Sequence, residues 1–268
     1  MTGSTILAAL RGEIDQTTVP GHCAVHGEFV IRQFLGSDGS VVGELARCAQ
    51  CAEDARVADE KSRQAEDRRK RFADADVPLR FRACTFSSFD PARAGDQAPM
   101  AATVCDEVRS YARGLPGHLK TGRSIALIGS TGTAKTHLAV AALKLAILQG
   151  LTARYATVGD MIATIRGTWD RDGDLTEAQA RALFQTPDLL VLDEIGAEQK
   201  GSDHELGLLA GIIDHRYRNL RPTIFVSNVG LPELRKYLGE RVLSRLMDNG
   251  GRVLTFRWQD HRANGARR

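Results

Sequence analysis

The segment Gly129-Ser-Thr-Gly-Thr-Ala-Lys-Thr136 contains the residue types that bind phosphate groups. It follows a short apolar run, Ser124–Ile128, and precedes a strongly apolar run, His137–Gln149, which Gly150 closes. This order predicts a strand, a glycine-containing turn and a helix, with backbone N–H groups of the turn pointing at phosphate oxygens. Lys135 would reach the β- and γ-phosphates of ATP, and the Thr136 hydroxyl would coordinate Mg²⁺. The residues predicted to bind the nucleotide here are Gly129, Ser130, Thr131, Gly132, Thr133, Ala134, Lys135, Thr136 and His137.

Ala134 stands where the usual phosphate-loop pattern, G-x-x-x-x-G-K-[ST], has its second glycine. A methyl group there would crowd the phosphate or resist the backbone conformation that glycine adopts. We therefore expect a lower affinity for nucleotide, and a degenerate loop that binds no nucleotide is the alternative. The Ala-Lys-Thr ending nevertheless resembles the phosphate loops of the MCM replicative helicases, which are ATPases, and this favours nucleotide binding.

Two acids follow the apolar run Leu189–Leu192. A buried parallel strand has this composition and delivers the residues after it to the carboxyl edge of the sheet. Asp193 would hold the Mg²⁺ shell through water, while Glu194 would polarise the water that attacks the γ-phosphate. A further apolar strand ends at Asn228, whose amide would orient that water, although an asparagine at a strand end is otherwise a turn residue.

Cysteine and histidine spacing near the N-terminus is typical of a zinc site. Cys23-Ala-Val-His26 and Cys48-Ala-Gln-Cys51 flank two strand-like runs around Ser37-Asp38-Gly39, which predict a hairpin. Such a hairpin can bring three thiolates and one imidazole around Zn²⁺, and metal binding would stabilise a module with little core. His22 is an alternative to His26 as the ligand. The two remaining cysteines, Cys84 and Cys105, are predicted to be packing residues.

Composition limits the classes of protein to which the chain belongs. Of its 268 residues, 43% are hydrophobic and 26% are charged, which is ordinary for a globular protein. The net charge of +3 does not indicate a strong nucleic-acid surface. The longest apolar stretch, Leu138–Leu148, is too short to span a bilayer, and the N-terminus has no basic region of a secretory signal. We therefore expect a cytoplasmic protein that has no membrane partner and keeps its five cysteines reduced.

A densely charged, alanine-rich stretch from Ala52 to Asp76 has no apolar stripe, which predicts a solvated linker helix. Val77-Pro78 would end it, because the residue before proline is disfavoured in helical conformation. We accordingly predict a zinc module at residues 1–51, a charged linker helix at 52–80 and an ATPase domain at 81–268.

Four motifs, GSTGTAKTH, LLVLDEIG, TIFVSN and LGERVLSRL, occur in an order and spacing that resemble the AAA+ replicative-helicase loaders of the DnaC/DnaI type, including phage and prophage versions. The resemblance covers most of the chain from Phe81 onward. Upstream, the two metal-binding pairs resemble the zinc-binding module with which many of these loaders contact the helicase.

The resemblance implies an α/β fold, a three-layer AAA+ core whose parallel sheet has the order 5-1-4-3-2, with its last strand at Arg252–Phe256. It also implies residue roles. Asn228 would be the sensor-1 residue, and Arg262 a sensor-2-like arginine. Arg245 would be the arginine finger that acts on the ATP of the neighbouring protomer, and Arg241 is the alternative finger.

The implied function is ATP-dependent loading of the replicative helicase onto single-stranded DNA by a self-assembling loader that ATP hydrolysis then releases. An IstB-type transposition helper, which acts with a transposase on duplex DNA, is the runner-up. A zinc adaptor that binds nucleotide without hydrolysing it is the third possibility.

Two further segments have alternative interpretations. In the resembling loaders an aromatic linker lies beside the adenine, which here corresponds to Phe81, Phe86 and Phe89, although a core role is equally consistent with their type. A helix at 202–220 ends in cations that either contact single-stranded DNA or form a solvated helix end. These cations are His215, Arg216, Arg218 and Arg221.

Overall fold

The computed structural model describes residues 15–169, 175–196 and 203–259. The chain forms two compact units, Met1–Asp67 and Arg68–Arg268. In the first unit, strands β1 (Asp15–Cys23), β2 (Gly27–Leu35) and β3 (Val41–Leu45) form an antiparallel sheet in the order β1-β2-β3. The predicted hairpin is therefore present as β2 and β3, whereas β1 is a strand that the sequence analysis did not predict.

Helix α1 (Ala49–Asp74) is the predicted charged helix, and it begins in the first unit and ends in the second. None of its residues is buried, as expected for a helix without an apolar stripe. Asp76 follows it with a positive φ of 55°, a conformation that ends helices, and Val77-Pro78 then continues the chain away from the helical path.

The second unit contains five strands and seven further helices within the described ranges. The strands are β4 (Ile125–Gly129), β5 (Ala153–Thr157), β6 (Leu189–Ile195), β7 (Thr223–Ser227) and β8 (Arg252–Phe256). The helices are α2 (Ala98–Arg113), α3 (Leu115–His118), α4 (Lys135–Leu148), α5 (Val158–Arg166), α6 (Glu177–Gln185), α7 (Asp203–Arg218) and α8 (Leu231–Met247). Short 3₁₀ helices occur at Leu79–Phe81, Pro91–Gln97, Gly167–Trp169 and Asp248–Gly250. Among the helices that the structure describes, none is long and apolar enough to cross a membrane.

The five strands are parallel and lie in the order β8-β4-β7-β6-β5. Numbered from 1 to 5 along the core, this is the order 5-1-4-3-2, so the predicted topology is confirmed, as is the last strand at Arg252–Phe256. The carboxyl ends of β4, β6 and β7 therefore lie side by side at one edge, where the phosphate loop, the two acids and Asn228 follow them.

Apolar side chains cover both faces of this sheet. Along β4, Ile125 and Leu127 pack with α2 and α4 on one face, while Ala126 and Ile128 pack on the other with α5 to α8. Alternate residues of β6 and β7 divide in the same way. The sheet is thus the middle of three layers, which explains why its central strands are continuous apolar runs.

Candidate functional site

The phosphate loop connects β4 to α4, and its glycines are required by the backbone. Gly129 has a φ of 142°, and a Cβ atom there would lie 2.3 Å from the carbonyl oxygen of Phe256 on the adjacent strand. Gly132 has a φ of 78°, which other L-residues rarely adopt. These two positions fix a turn whose backbone enters α4 at Lys135.

Ala134, the residue that departs from the usual pattern, adopts the left-handed conformation with φ 68° and ψ 26°. Glycine favours this conformation, and Ala134 adopts it in spite of its methyl group. An alanine in this conformation costs about 1 to 2 kcal/mol relative to the right-handed one. The loop therefore keeps a backbone conformation that suits glycine at the expense of local strain.

Lys135 is almost completely buried, and its ammonium group is held by the loop itself. Its Nζ donates to the carbonyl oxygen of Ser130 at 2.6 Å and lies 3.3 Å from the Thr133 hydroxyl. The Thr133 hydroxyl donates to the same Ser130 carbonyl, and Trp258 Nε1 donates to the Thr133 carbonyl at 3.1 Å. A buried ammonium group at a helix N-terminus is suited to binding an anion such as a phosphate.

Asp193 is the centre of a hydrogen-bond network at the carboxyl end of β6. Its Oδ2 accepts from the Thr136 hydroxyl at 2.7 Å and from the Tyr155 hydroxyl at 2.9 Å, while its Oδ1 accepts from the backbone N–H of Glu194 at 2.7 Å. Thr136 and Asp193, the two predicted Mg²⁺ residues, are therefore in direct contact. Sequence reasoning missed Tyr155, because a tyrosine within a strand is typical of a core residue.

Glu194 lies in a bulge where the register of β6 shifts between Leu192 and Ile195, and its φ is 59°. The bulge turns its side chain out of the sheet while Ile195 returns to pair with Ser227. Partial burial, together with the neighbouring Asp193 carboxylate and then that of Asp160, raises the pKa of Glu194. A carboxylate with a raised pKa is suited to accept a proton.

An open cleft of about 360 Å³ joins these groups. Of the predicted nucleotide and catalytic residues, those that line it are Thr131, Gly132, Ala134, Lys135, Thr136, His137, Asp193, Glu194 and Asn228. Gly129, Ser130 and Thr133 belong to the same loop without lining the cleft. Arg80, Phe81, Cys84 and Tyr155 complete the lining; of these, only Phe81 was named in the sequence analysis as a candidate to lie beside the adenine, as a residue of the aromatic linker.

The segment before α2 is tied to α4 by two side chains. His137 Nε2 lies 2.8 Å from the carbonyl oxygen of Thr85 and 3.2 Å from the Ser88 hydroxyl. Lys144 Nζ donates to the carbonyl oxygens of Arg82 and Cys84, at 2.8 and 3.1 Å. The helix that carries the phosphate loop therefore also holds the linker that forms part of the cleft.

The three predicted linker aromatics occupy different environments. Phe81 lines the cleft and lies 6.5 Å from the Tyr155 ring, centroid to centroid. Phe89 is buried in the core with its ring edge against His137, and the guanidinium of Arg109 lies over Phe86. Only Phe81, among these three, is in position to contact a bound nucleotide.

The two candidate finger arginines differ in exposure. Arg245, on α8, forms an ion pair with Asp214 and lies over the Tyr217 ring, so that its side chain is 17% exposed. Arg241, one turn earlier, lies 3.6 Å from the same carboxylate and is 77% exposed. Neither lines the cleft of its own chain, which is consistent with action on a neighbouring protomer. The predicted sensor-2 residue, Arg262, lies outside the described residues.

Arg216 is fully buried, so the interpretation of this residue as a DNA-contacting or solvated cation at a helix end is wrong. Its guanidinium donates to the carbonyl oxygens of Phe184, Gln185, Pro187, Asp188 and Pro222 and to the Thr223 hydroxyl, at distances from 2.6 to 3.4 Å. It therefore joins the chain segments that enter β6 and β7. Burial lowers the pKa of Arg216 to about 9.

The first unit contains a second candidate site. The Sγ atoms of Cys23, Cys48 and Cys51 and a ring nitrogen of His26 all lie within 4.8 Å of one another. His26 Nδ1 is 3.3 to 3.8 Å from the three sulfurs, and Cys23 Sγ is 3.4 Å from Cys51 Sγ. Zinc–ligand bonds of about 2.0 to 2.3 Å give tetrahedron edges of about 3.3 to 3.8 Å. The cluster therefore fits Zn²⁺, and it includes His26 rather than the alternative His22.

The electrostatics of this cluster also favour a cation. Backbone N–H groups of Val25 and His26 lower the pKa of the Cys23 thiol to about 6. A hydrogen bond with the adjacent Cys23 raises the pKa of the Cys51 thiol to about 11, and desolvation and the repulsion between neighbouring thiolates add to this effect. A divalent cation would remove that repulsion and stabilise all three thiolates.

Comparison with known proteins gives one family match. The model of the family described as "IstB-like ATP binding protein" matches residues 111–250. This range includes the phosphate loop, both acids, Asn228 and the two candidate finger arginines, and it excludes the cysteine cluster.

The chain is also similar to two bacterial proteins and to one solved structure. The uncharacterized protein YdaV of Escherichia coli (strain K12) is 32% identical over 68% of this chain and 69% of its own length. The replicative helicase loader DnaC of the same strain is 31% identical over 59% of this chain, and the alignment spans 62% of DnaC. The crystal structure of the DnaC helicase loader superposes with a TM-score of 0.56 and 25% identity, covering 67% of this chain and 99% of that chain.

Proposed function

The chain belongs to the AAA+ family of IstB-like ATP-binding proteins and DnaC-type helicase loaders, and from this membership we propose that it is an ATP-dependent loader of the replicative DNA helicase onto single-stranded DNA. One observation carries the proposal. The part of the chain that matches the IstB-like ATP-binding family, residues 111–250, contains Lys135, Thr136 and Asp193 around one cleft.

ATP binding uses contacts that the loop already makes within itself. Lys135 exchanges the Ser130 carbonyl for the β- and γ-phosphate oxygens, and the N–H groups at the start of α4 bind the same anion. Thr136 would coordinate Mg²⁺ and Asp193 would hold its shell through water, and the ion would supply positive charge to the phosphate oxygens. Glu194 accepts a proton from the attacking water, and Asn228 orients that water.

Hydrolysis requires assembly of several protomers, because an arginine from a neighbouring protomer completes the site. Arg245 is our first candidate and Arg241 the second. To act in trans, Arg245 has to leave Asp214, whereas the exposed Arg241 needs no such change. A guanidinium supplied in this way increases the rate about 10³- to 10⁵-fold in other nucleotide hydrolases.

The N-terminal unit binds the helicase, and Zn²⁺ bound by the cysteine cluster would stabilise the fold of this unit. The ATP-bound AAA+ units associate side by side, hold the helicase ring open and contact single-stranded DNA. Hydrolysis then releases the loader from the helicase.

The test uses the full chain with the replicative helicase of its host, in ATP and Mg²⁺. We expect co-elution in size-exclusion chromatography and faster helicase loading on single-stranded DNA. Lys135→Ala should lose nucleotide binding and loading, while Lys120→Ala, which replaces an exposed lysine away from the cleft, should not. Absence of a complex with the helicase would contradict the proposal.

A second candidate function, an IstB-type transposition helper, is favoured by the description of the matching family model. This function predicts binding to duplex rather than single-stranded DNA, and stimulation of an integrase-like transposase. The cysteine cluster counts against it, because it resembles the zinc-binding module of the loaders.

The third candidate, an adaptor that binds nucleotide without hydrolysing it, is motivated by the strained Ala134. ATP hydrolysis that single-stranded DNA stimulates, and that Glu194→Gln abolishes, would exclude this function.

A further inference from the structure

The imidazole of His26 is held from both sides. Its Nδ1 faces the three cysteine sulfurs, with Cys51 Sγ nearest at 3.3 Å. Its Nε2, on the opposite side of the ring, lies 3.0 Å from Oδ2 of Asp54. The second contact is not needed to bring four ligand atoms together, so it requires a separate explanation.

Helix α1 delivers both partners of this ring. Cys51 and Asp54 are three residues apart in its first two turns, and residues at this spacing lie on the same face of a helix. The same helix therefore offers a sulfur to one ring nitrogen and a carboxylate to the other. A flip of the ring about its Cβ–Cγ bond would put carbon atoms in place of both nitrogens and would lose both contacts.

We propose that Asp54 is a positioning residue of the metal site: it accepts the Nε2–H of His26, presents Nδ1 to the metal and thereby increases the affinity for Zn²⁺. Histidines that bind metals usually donate their other ring N–H to a carboxylate or carbonyl, which orients the ring and strengthens the metal bond. The inference rests on the zinc site proposed above and does not depend on the identity of the helicase.

Neighbouring acids on α1 do not share this geometry. Glu53 accepts two hydrogen bonds from Arg56, at 2.6 and 2.9 Å, and so is engaged elsewhere. Asp54 is 57% exposed and His26 is 24% exposed, so water competes with their contact. Loss of such an outer contact typically weakens metal binding 10- to 100-fold, and because of this exposure we expect about tenfold here.

The experiment measures the zinc dissociation constant of the full chain by competition with a chromophoric chelator. Asp54→Ala should raise it about tenfold. Asp54→Asn, whose amide oxygen still accepts from Nε2–H, should have a smaller effect. Asp59→Ala removes the same charge from the same helix without touching His26 and should leave the constant unchanged.

A spectroscopic measurement separates ring orientation from general damage to the fold. In zinc-loaded protein with ¹⁵N-labelled histidine, His26 should carry its proton on Nε2, protected from exchange with water. Asp54→Ala should retain a cobalt spectrum of tetrahedral sulfur-rich ligation and lose that protection.

Each outcome has a definite meaning. Equal zinc affinity of Asp54→Ala and the unaltered chain, or an equal loss in Asp59→Ala, would overturn the role of Asp54 while leaving the metal site intact. If the unaltered chain took up no zinc, the metal site itself would be wrong, whatever the result for the helicase.

Discussion

Tyr155→Phe is the substitution that most directly tests the arrangement around Asp193. It removes one hydroxyl and leaves the ring in place, so the packing against Phe81 remains. The Tyr155 hydroxyl donates to a carboxylate that is 4% exposed. Burial and the adjacent Asp193 raise the pKa of Tyr155, so the phenol stays protonated and remains a donor at neutral pH.

The magnitude follows from the kind of bond that is lost. A hydrogen bond to a charged acceptor contributes about 1.5 to 3 kcal/mol. The Thr136 hydroxyl and the Glu194 N–H still bind Asp193 in the variant, so we expect the lower part of this range, about 2 kcal/mol. For a domain of this size that corresponds to a fall in Tm of about 4 to 8 °C. A misplaced Asp193 should also lower Mg²⁺-dependent hydrolysis about 10- to 100-fold, by the same conversion of energy to rate.

The chain provides a matched control. The Tyr111 hydroxyl donates at 2.9 Å to the carbonyl oxygen of Arg123, and Tyr111 is also buried, but it is not part of the cleft. Tyr111→Phe should lose about 1 kcal/mol of stability, because its acceptor is neutral, and should hydrolyse ATP normally. Thermal unfolding and steady-state ATPase assays of both variants provide the comparison.

The reasoning would be refuted if Tyr155→Phe lost no more ATPase activity than Tyr111→Phe. A loss of stability alone, with unchanged dependence on Mg²⁺ concentration, would make Tyr155 a packing residue. A rise in the Mg²⁺ concentration needed for half-maximal activity, seen only in Tyr155→Phe, would support its action through Asp193.

Glu194→Gln should retain ATP binding and lower hydrolysis by about 10²- to 10⁴-fold. The pKa of Glu194 is raised, and the base must be ionised to accept a proton. As the pH is lowered, hydrolysis by the unaltered chain should therefore decline at a higher pH than it would with a glutamate of ordinary pKa. A pH–rate profile measures this. Arg245→Ala should keep its ATP affinity and lose hydrolysis in the assembled state by about 10³-fold or more, and normal turnover would assign the finger to Arg241. Arg216→Met should lower the free energy of unfolding by about 3 to 5 kcal/mol, because it leaves buried carbonyl oxygens unpaired. Arg218→Met, at an exposed position, should cost less than about 1 kcal/mol in the same urea titration, and equal losses would contradict the structural role of Arg216.

Much of the fold follows from local patterns in the chain. The apolar run before the phosphate loop, the loop itself and the helix after it are contiguous, so one segment specifies strand, turn and helix together. The apolar run at Leu189–Leu192 similarly predicted a buried parallel strand with acids at its end. The sheet order came from the resemblance to a family, because strand pairing joins residues far apart in sequence.

Strand β1 was missed for a physical reason. Its side chains are mostly exposed, so it lacks the apolar alternation that marks a strand with one buried face. It forms because its backbone groups pair with β2 along nine consecutive positions, and such pairing leaves little trace in side-chain type.

Residue types and spacing were sufficient to predict the phosphate loop, the two acids and the three candidate cysteine ligands, because each of these groups lies within one short segment or repeats a known spacing, whereas the choice of His26 over His22 came from the structure. The contacts of Tyr155 with Asp193, of Arg216 with five carbonyl oxygens and of Asp54 with His26 were not predictable in this way. Each joins segments that only folding brings together, and backbone carbonyls have no residue signature. The chemistry available to this protein can therefore be read along the chain, whereas the groups that orient it depend on how the strands and helices pack.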